Sequence, residues 1–245
     1  MKYFIYNSLA FEAYLKESSH VRGEVRFLRL FAEEGMVAVD IGGKIGVTTV
    51  TIAKEVGKRG KVYTFEPVPE NFEVLKRNLT INGLRNVKAL QLAVSDRVGK
   101  VDFYGNSIIP REEAQKTSVK ATTLDALLAE EKLERMDLIN MDCEGSELLV
   151  LRGAERILRK NKVKIFFEVH HDFLGNLGQS VGDIVEYLRG LGFQAYGVCL
   201  DDLSLKEEIE RPEYVYAVLE LIESYGRSKN ERKGKGICYT QEDQG

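Results

Sequence analysis

The chain alternates between two patterns of hydrophobic and polar positions. Short apolar runs bounded by polar or glycine-rich turns are typical of strands buried in a parallel sheet. Between these runs, apolar residues recur at every third or fourth position, which is typical of helices that pack on such a sheet. The predicted strands cover residues 36–39, 61–67, 87–94, 136–142, 164–171, 193–198 and 213–221.

Helices are predicted between most of the strands, so that consecutive strands are joined by crossovers and run parallel. Only the last two strands lack room for a crossover helix, and the strand at 213–221 is therefore predicted to be antiparallel. The fold class that follows is α/β: a Rossmann-like, seven-stranded, mostly parallel sheet with an antiparallel last strand and helices on both faces. The predicted helices cover residues 10–15, 24–34, 47–56, 69–82, 146–158 and 180–191, and another begins near residue 122.

Three segments are predicted along the chain. Residues 1–35 form a helical cap, residues 36–222 form the α/β domain, and residues 223–245 form a polar tail that we expect to be mobile. Within the domain, residues 99–105 are predicted as a short β segment at the sheet edge. Residues 106–118 have no clear period and are predicted as a loop near the ligand side of the sheet.

Composition and charge narrow the classes of partner. The 245 residues are 44% hydrophobic and 30% charged, which is ordinary for a globular protein, and the net charge of −3 disfavours broad nucleic-acid binding. The three cysteines are far apart, which predicts neither a disulfide framework nor a zinc site and fits a reducing cytoplasm. The sequence shows no apolar run of about 18 residues and no signal-peptide pattern, so we expect a cytoplasmic protein without a membrane partner.

A glycine-rich turn after the first strand is the strongest candidate for a ligand site. It contains Asp40, Gly42, Gly43 and Gly46 in the pattern Asp-x-Gly-x-x-x-Gly, and the glycines allow backbone N–H groups to approach a ligand. The pattern lacks the middle glycine of a dinucleotide fingerprint. A carboxylate at the strand end favours a ligand with an ammonium group and opposes a pyrophosphate. S-adenosylmethionine, which has an ammonium group, a sulfonium group and no phosphate, fits this turn.

An acid also ends the second predicted strand. Glu66 lies 20 residues after Gly46, and Pro67 keeps it extended. In a Rossmann-type sheet, an acid at this position accepts hydrogen bonds from the two ribose hydroxyls of an adenosine. The sequence therefore predicts that Glu66 and the glycine-rich turn bind the same cofactor.

A second group of polar residues stands at or just beyond the ends of two further predicted strands, where an open parallel sheet has its ligand crevice. His170 is predicted as a general base, because an ordinary histidine pKa near 6.5 suits proton transfer at neutral pH. Asp142 is predicted to position the acceptor or the cofactor amine, and Glu144 belongs to the same catalytic group. No ligand spacing here requires a divalent metal, so none is predicted. The group consists of Asp142, Glu144, Glu168, His170 and His171.

The run Asp142-Cys143-Glu144-Gly145-Ser146-Glu147, with the glycine-rich turn and Glu66, resembles the FkbM family of methyltransferases over about residues 24–220. The resemblance implies a class I methyltransferase fold that uses S-adenosylmethionine and methylates a hydroxyl group of a small molecule or sugar. It implies that Glu24 helps to hold the methionine moiety. It also implies that Ser95 and Asp96 lie beside the adenine, although an Asx-type turn is an equal alternative for them. At Lys44 the chain departs from the family, whose members often carry asparagine there.

Three alternative functions share part of this evidence. A nucleic-acid methyltransferase has the same fold, but enzymes that methylate base amines often carry an Asn/Asp-Pro-Pro-Tyr-type run where this chain reads Asp142-Cys143-Glu144-Gly145. A nicotinamide-dependent oxidoreductase needs a pyrophosphate cradle, which the missing glycine disfavours. A non-catalytic binding module would keep the cofactor fold alone. We therefore expect a small-molecule or sugar acceptor and no nucleic-acid partner.

Overall fold

A computed structural model describes residues 18–105, 107–110, 116–207 and 209–219 of the chain. The predicted helix at 10–15 and the predicted tail at 223–245 lie outside these residues. The division of the chain into a cap, a domain and a tail therefore stays a prediction. No helix in the described part of the chain combines the length and the apolar character that crossing a membrane requires.

Strands and helices alternate along the chain. The strands are β1 (Val37–Ile41), β2 (Lys61–Phe65), β3 (Val87–Leu90), β4 (Ala93–Val94), β5 (Gly99–Tyr104), β6 (Lys116–Thr122), β7 (Leu138–Met141), β8 (Lys164–Glu168), β9 (Phe193–Cys199), β10 (Ser204–Lys206) and β11 (Tyr214–Leu219). The helices are α1 (Ser18–Phe31), α2 (Val47–Glu55), α3 (Pro69–Ile81), α4 (Leu124–Glu130), α5 (Glu147–Arg152), α6 (Glu155–Lys160), α7 (His171–Asn176) and α8 (Val181–Gly190).

The central sheet has the order β10-β9-β11-β8-β7-β1-β2-β3. Strands β3, β2, β1, β7 and β8 are parallel, whereas β11 is antiparallel to both of its neighbours, β8 and β9. The predicted α/β fold with an antiparallel last strand is therefore confirmed. Strand β10, a three-residue edge strand that was not predicted, makes the sheet eight-stranded.

Two predicted elements are divided in the structure. The strand predicted at 87–94 ends at Leu90, and Ala93–Val94 instead pairs with β6 in a second sheet of order β4-β6-β5. The helix predicted at 146–158 is broken between α5 and α6 at Gly153, where a Cβ atom would lie 2.1 Å from the carbonyl oxygen of Ser95. The close approach of that backbone explains why a glycine stands at the break.

Other boundaries also differ from the prediction. The β segment predicted at 99–105 forms as β5, but it lies in the second sheet and not at the edge of the central one. Its antiparallel partner β6 begins inside the stretch that was predicted as a loop. Strand β8 ends at Glu168, and His171 already belongs to α7. The strand predicted at 164–171 was therefore too long at its C-terminal end, because its last residue starts the next helix.

Side chains of the central strands β1, β2, β7 and β8 alternate between two buried faces, as a sheet covered on both sides requires. In β8, Ile165 and Phe167 pack into one core with α4 to α8, whereas Phe166 packs into the other core with α1 and α2. Phe27 of α1 stacks on Phe166 with ring centroids 4.5 Å apart, and its side chain is completely buried. This contact fixes α1 against the sheet, so the residues one turn earlier on α1 are held near the strand ends.

Candidate functional site

Two adjoining cavities open at the carboxyl ends of the parallel strands, the edge where open α/β sheets bind ligands. The first cavity has a volume of about 830 Å³ and the second about 500 Å³. They meet at the turn between β1 and α2 and at the turn after β7, and together they form one crevice. The residues that line both cavities are Gly42, Lys44, Ile45, Asp142 and Glu144.

The glycines of the β1–α2 turn are required by the packing of the turn itself. Gly42 has φ 78°, and a Cβ atom there would lie 1.9 Å from the carbonyl oxygen of Asp142. A Cβ atom at Gly43 would lie 2.3 Å from Oγ1 of Thr64. The N–H groups of Gly42 and Gly43 both donate to the carbonyl oxygen of Phe65, at 3.0 Å. Because these groups are already paired, the turn shapes the crevice without offering the free N–H cradle that the sequence suggested.

Gly46 completes this turn without lining either of the two cavities. It has φ 94°, a conformation that favours glycine, and precedes the first residue of α2. Its N–H donates to the carbonyl oxygen of Gly43 at 2.6 Å. The structure therefore gives Gly46 the role of closing the turn, whereas Gly42 and Gly43 face the crevice.

Asp40 points into the protein interior. Its side chain is completely buried, and its carboxylate accepts hydrogen bonds from Thr48, Thr49 and Asn140. The alternation of β1 explains this direction, because Asp40 lies on the same face as Ala38, which packs toward α2. Burial raises the pKa of Asp40, and the hydrogen bonds from Thr49 and Asn140 partly offset that rise.

The structure therefore does not place Asp40 where it could contact the ammonium group of a cofactor. Asp40 lines neither of the two cavities described above. It joins the first turn of α2 to β7 through Asn140, whose amide nitrogen lies 2.7 Å from Oδ1 of Asp40. Asp40 thus fixes the position of the glycine-rich turn.

Glu66 lies at the wall of the first cavity, as the sequence predicted. Its Oε2 accepts a hydrogen bond from the N–H of Lys44, and its Oε1 accepts one from the N–H of Val68, both at 2.8 Å. Burial raises the pKa of Glu66, although these two backbone hydrogen bonds lower it in part. The side chain of Asn71 also forms a hydrogen bond with Glu66, and a carboxylate accepts about four hydrogen bonds in all. One hydroxyl group, such as one of a ribose, therefore fits this fixed carboxylate directly, and a second hydroxyl would take the place of Asn71.

Ser95 and Asp96 lie outside both cavities of the described structure. Ser95 is buried, and its hydroxyl donates to Oδ1 of Asp96 at 3.1 Å. Asp96 also pairs with Arg97, at 3.0 Å. Both of these contacts of Asp96 are with its neighbours in the chain. The contact with an adenine and the Asx-type turn both stay predictions.

Apolar side chains that the sequence did not single out form the wall expected for an adenine. Strand β4 and the residues before it supply part of this wall, and the β5–β6 hairpin with its adjoining segment supplies the rest. An apolar slot of this kind accepts a flat aromatic ring. These residues are Leu92, Ala93, Val94, Phe103 and Ile108.

The second cavity brings the predicted catalytic residues together. Nε2 of His170 lies 3.6 Å from Oδ1 of Asp142, 3.5 Å from Oε2 of Glu144 and 3.9 Å from Oε1 of Glu168. Nδ1 of His170 lies 3.3 Å from Oε1 of Glu147, whose side chain is completely buried. The imidazole is therefore enclosed by carboxylates on both of its nitrogen atoms.

This environment changes the predicted chemistry of His170. Burial by itself lowers the pKa of His170, but the hydrogen bond with Glu147 and the charges of Asp142 and Glu144 outweigh it and raise the pKa to about 9. The imidazole is then protonated at neutral pH, with Nδ1 in a hydrogen bond to Glu147 and Nε2 facing the other carboxylates as an ion-pair partner. Among these carboxylates His170 is thus a cation, which differs from the neutral base that the sequence predicted.

His171 is separate from this group. It begins α7, and its Nε2 lies 2.8 Å from the carbonyl oxygen of Pro212. That contact ties α7 to the segment before β11. The structure therefore gives His171 a structural contact, whereas His170 faces the second cavity.

Lys44 is the other basic residue that lines the second cavity, and the sequence marked it only as a departure from a family pattern. Its Nζ lies 2.6 Å from Oδ2 of Asp142 and 3.7 Å from Oε1 of Glu144. Lys44 has φ 46°, so the turn holds it in a left-handed conformation. Burial lowers the pKa of Lys44, but the charge and hydrogen bond of Asp142 outweigh this effect and raise it.

Glu24 lines the second cavity from α1, and its role in holding the methionine moiety stays a prediction. Burial and the nearby charges of Asp142 and Glu168 raise its pKa to about 8. The hydroxyl of Tyr214, a buried residue of β11, forms a hydrogen bond with Glu24. Burial and the charge of Asp142 likewise raise the pKa of Glu168 to about 7.

Three side chains of the second cavity have the composition of a metal site. Ligand atoms of Asp142, Glu168 and His170 all lie within 4.8 Å of one another. Oδ1 of Asp142 is buried and has no hydrogen-bond partner among the described residues. The ammonium group of Lys44 already lies against the other oxygen of Asp142. A cation that belongs to the protein itself is therefore already paired with one of these three side chains. The absence of a metal stays a prediction.

The comparisons with known proteins agree with this geometry. The model of the FkbM methyltransferase domain family matches residues 40–195. Methyltransferase sdnD of Sordaria araneosa is 31% identical in an alignment of 155 positions that covers 48% of this chain and 60% of that protein. 2-O-methyltransferase NoeI of Sinorhizobium fredii is 24% identical over 174 residues, covering 62% of this chain and 70% of that protein.

A solved structure supports the same fold. The FkbM methyltransferase of Methylobacillus flagellatus superposes with a TM-score of 0.52 and 18% identity, over 76% of this chain and 43% of that chain. This chain therefore spans less than two thirds of the length of sdnD and of the solved structure. The family model covers more than half of the chain, including the glycine-rich turn, Glu66 and the residues around His170. The chain belongs to the FkbM methyltransferase domain family.

Proposed function

We propose that the protein is an S-adenosylmethionine-dependent methyltransferase that methylates a hydroxyl group of a small molecule or a sugar. The observation that carries the proposal is the fixed carboxylate of Glu66 at the wall of the larger cavity. Two backbone N–H groups hold it in place, and the apolar slot lined by Leu92 and Phe103 belongs to the same cavity. A ribose and an adenine need these two surfaces side by side.

The crevice has room for the two parts of this cofactor. The first cavity would hold the adenosine, and the turn at Gly42 connects it to the second cavity, where Glu24 and Glu168 lie. When bound, S-adenosylmethionine supplies an electrophilic methyl group on a positively charged sulfur. The residues present fit the group, because its cationic end would meet carboxylates and its adenosine would meet an apolar wall.

The reaction breaks a sulfur–carbon bond and forms an oxygen–carbon bond, and the acceptor hydroxyl loses its proton. Holding the acceptor in line with the methyl group contributes roughly 7–11 kcal/mol to such a transfer. Glu168, with a pKa of about 7 and a partly exposed side chain in the second cavity, is the residue whose proton affinity suits accepting that proton. His170, which is protonated beside it, would hold the acceptor oxygen or Glu168 by hydrogen bonds.

Two findings support the oxygen atom as the acceptor. NoeI is named as a 2-O-methyltransferase, and its similarity to this chain extends over 174 residues. A hydroxyl acceptor also needs a group that takes its proton, and the second cavity provides titratable carboxylates for it. The small-molecule or sugar class is our proposal from these two points.

Isothermal titration with S-adenosylmethionine tests the cofactor. The unmodified protein should bind it, and Glu66→Gln should weaken binding roughly 10- to 100-fold, because a hydrogen bond to a charged group contributes about 1.5–3 kcal/mol. Glu186→Gln, a change at an exposed residue of α8, is the matched control and should leave the affinity unchanged. Circular dichroism would confirm that both variants fold. No binding to the unmodified protein at millimolar cofactor would end the proposal.

A further inference from the structure

Lys44 is the basic residue that lines both cavities, and the proposed function gives its side chain no task. The reacting centre of S-adenosylmethionine is positively charged, so an ammonium group beside it opposes binding rather than supporting it. The presence of a lysine at the junction of the two cavities is therefore to be explained by the residues that it contacts.

The backbone of Lys44 is fixed on both sides of its side chain. Its φ of 46° is left-handed, a conformation that is unfavourable for a residue with a Cβ atom. Its N–H donates to Oε2 of Glu66 at 2.8 Å. The carbonyl oxygen of the next residue, Ile45, accepts a hydrogen bond from Nδ2 of Asn78 at 2.7 Å. The lysine side chain therefore starts from a point that the β1–α2 turn holds in place.

The ammonium group of Lys44 lies among carboxylates of the turn after β7. Its Nζ lies 2.6 Å from Oδ2 of Asp142 and 3.7 Å from Oε1 of Glu144. The other oxygen of each of these carboxylates faces Nε2 of His170, at 3.6 Å for Asp142 and 3.5 Å for Glu144. Each of the two carboxylates therefore lies between an ammonium group and an imidazole.

Asp142 also belongs to the set of side chains that could hold a metal ion, with Glu168 and His170. Carboxylate oxygens are ligands of Mn²⁺, and an imidazole nitrogen binds first-row divalent ions in general. A divalent ion on Asp142 would lie a few ångströms from Nζ of Lys44, and positive charges at that separation repel each other. Lys44 and a divalent ion therefore compete for Asp142.

We propose that Lys44 is the built-in cation of this group, and that its ammonium group excludes a divalent metal from Asp142, Glu168 and His170. Selectivity against a metal is then a property of one side chain, and the same carboxylates accept a metal once the lysine is replaced. This inference concerns the free protein and does not depend on methyl transfer. Its consequence for the proposed function is that an acceptor oxygen beside Asp142 meets an ammonium group in the place of a metal ion.

Titration with Mn²⁺ tests the exclusion directly, because bound Mn²⁺ loses the sharp paramagnetic resonance signal of the free ion. The 245-residue chain, prepared without a histidine tag, should show no saturable binding at millimolar Mn²⁺. Lys44→Met, whose side chain has a similar length and no charge, should bind Mn²⁺ about 10- to 100-fold more tightly. The side chain of Lys44 is 48% exposed, and screening by solvent limits the gain to this range.

Further variants separate the local charge from the net charge. Lys44→Gln is a second neutral variant and should gain Mn²⁺ binding as Lys44→Met does, whereas Lys44→Arg keeps the charge and should not. Lys54→Met is the matched control, because Lys54 lies on the exposed surface of α2 and its replacement removes the same charge away from the crevice. Circular dichroism shows whether each variant is folded. An equal gain in Lys54→Met would be an effect of net charge alone and would contradict the inference.

Second substitutions locate the ion. In the Lys44→Met background, His170→Ala should abolish the gained binding, whereas His171→Ala, outside the candidate metal set, should keep it. Three results would overturn the inference: binding of Mn²⁺ by the unmodified chain with the affinity of Lys44→Met, no gain in either neutral variant, or a gain that persists without His170. Each of them leaves the proposed function standing, because titration of the unmodified chain with S-adenosylmethionine tests that function separately.

Discussion

Replacing Gly42 with alanine tests whether the glycine-rich turn is held by close packing. The added Cβ atom would lie 1.9 Å from the carbonyl oxygen and 2.9 Å from the carbonyl carbon of Asp142. Both atoms belong to the backbone of the neighbouring turn, so no side-chain rotation can relieve the overlap. The alanine would also have to adopt φ 78°, which disfavours any residue with a Cβ atom.

The expected loss of stability has two parts. The left-handed conformation costs about 1–2 kcal/mol for a residue other than glycine. Relief of the overlap by shifting two packed turns costs a further ~1–3 kcal/mol, as other overpacked sites do. Gly42→Ala should therefore lower the free energy of unfolding by about 2–5 kcal/mol.

Two other glycines provide matched controls. Gly83 has φ 66°, but a Cβ atom added there would meet no atom within 4 Å, so Gly83→Ala isolates the conformational part at about 1–2 kcal/mol. Gly190, at the end of α8, has neither a positive φ nor a close neighbour, and Gly190→Ala should be neutral or stabilising by up to about 1 kcal/mol.

Urea unfolding followed by circular dichroism measures all three variants, and the absence of tryptophan makes this probe preferable to fluorescence of that residue. Gly42→Ala should be the least stable variant, followed by Gly83→Ala and then by Gly190→Ala. Equal unfolding free energies for the first two variants would show that the turn yields easily, and would refute the argument from close packing.

Two further predictions concern the buried charges. Asp40→Ala leaves Thr48, Thr49 and Asn140 without their common acceptor. The free energy of urea unfolding should fall by about 2–4 kcal/mol, since each unpaired buried donor is costly. An unchanged unfolding midpoint would show that Asp40 does not hold the turn in place. The pKa of His170 is raised to about 9, so its ion pairs stabilise the fold fully below the unfolded value near 6.5 and lose this contribution as pH rises through 9. The difference in unfolding free energy between the unmodified protein and His170→Gln should therefore shrink by about 1–3 kcal/mol from pH 6.5 to pH 9.5. A difference that stays constant would show that the imidazole is neutral throughout.

The sheet could be predicted from the sequence because its strands are short apolar runs separated by helical periods. The antiparallel direction of β11 followed from the short connection before it, which leaves no room for a crossover helix. Strand β10 was missed because three residues, Ser204–Lys206, are too few to show an alternating pattern. Its pairing with β9 is a property of the sheet edge, which local sequence does not encode.

Only the site residues that stand at the ends of predicted strands could be predicted from the sequence. Glu66, Asp142 and His170 follow apolar runs, and the structure brings them to one crevice. The direction of Asp40 depends on which face of β1 packs against α2, and the prediction did not apply the alternation of that strand. The raised pKa of His170 depends on Glu147, which touches it across 23 positions of sequence. Contacts of this kind arise only when the chain is folded.

A crystal structure with S-adenosylhomocysteine bound would test the central claim most directly. We predict that both ribose hydroxyls donate to the carboxylate of Glu66, that the adenine lies against Leu92 and Phe103, and that the amino-acid end enters the second cavity beside Glu24. Density for the ligand at another part of the surface, or a ribose out of hydrogen-bond reach of Glu66, would contradict this assignment of the crevice.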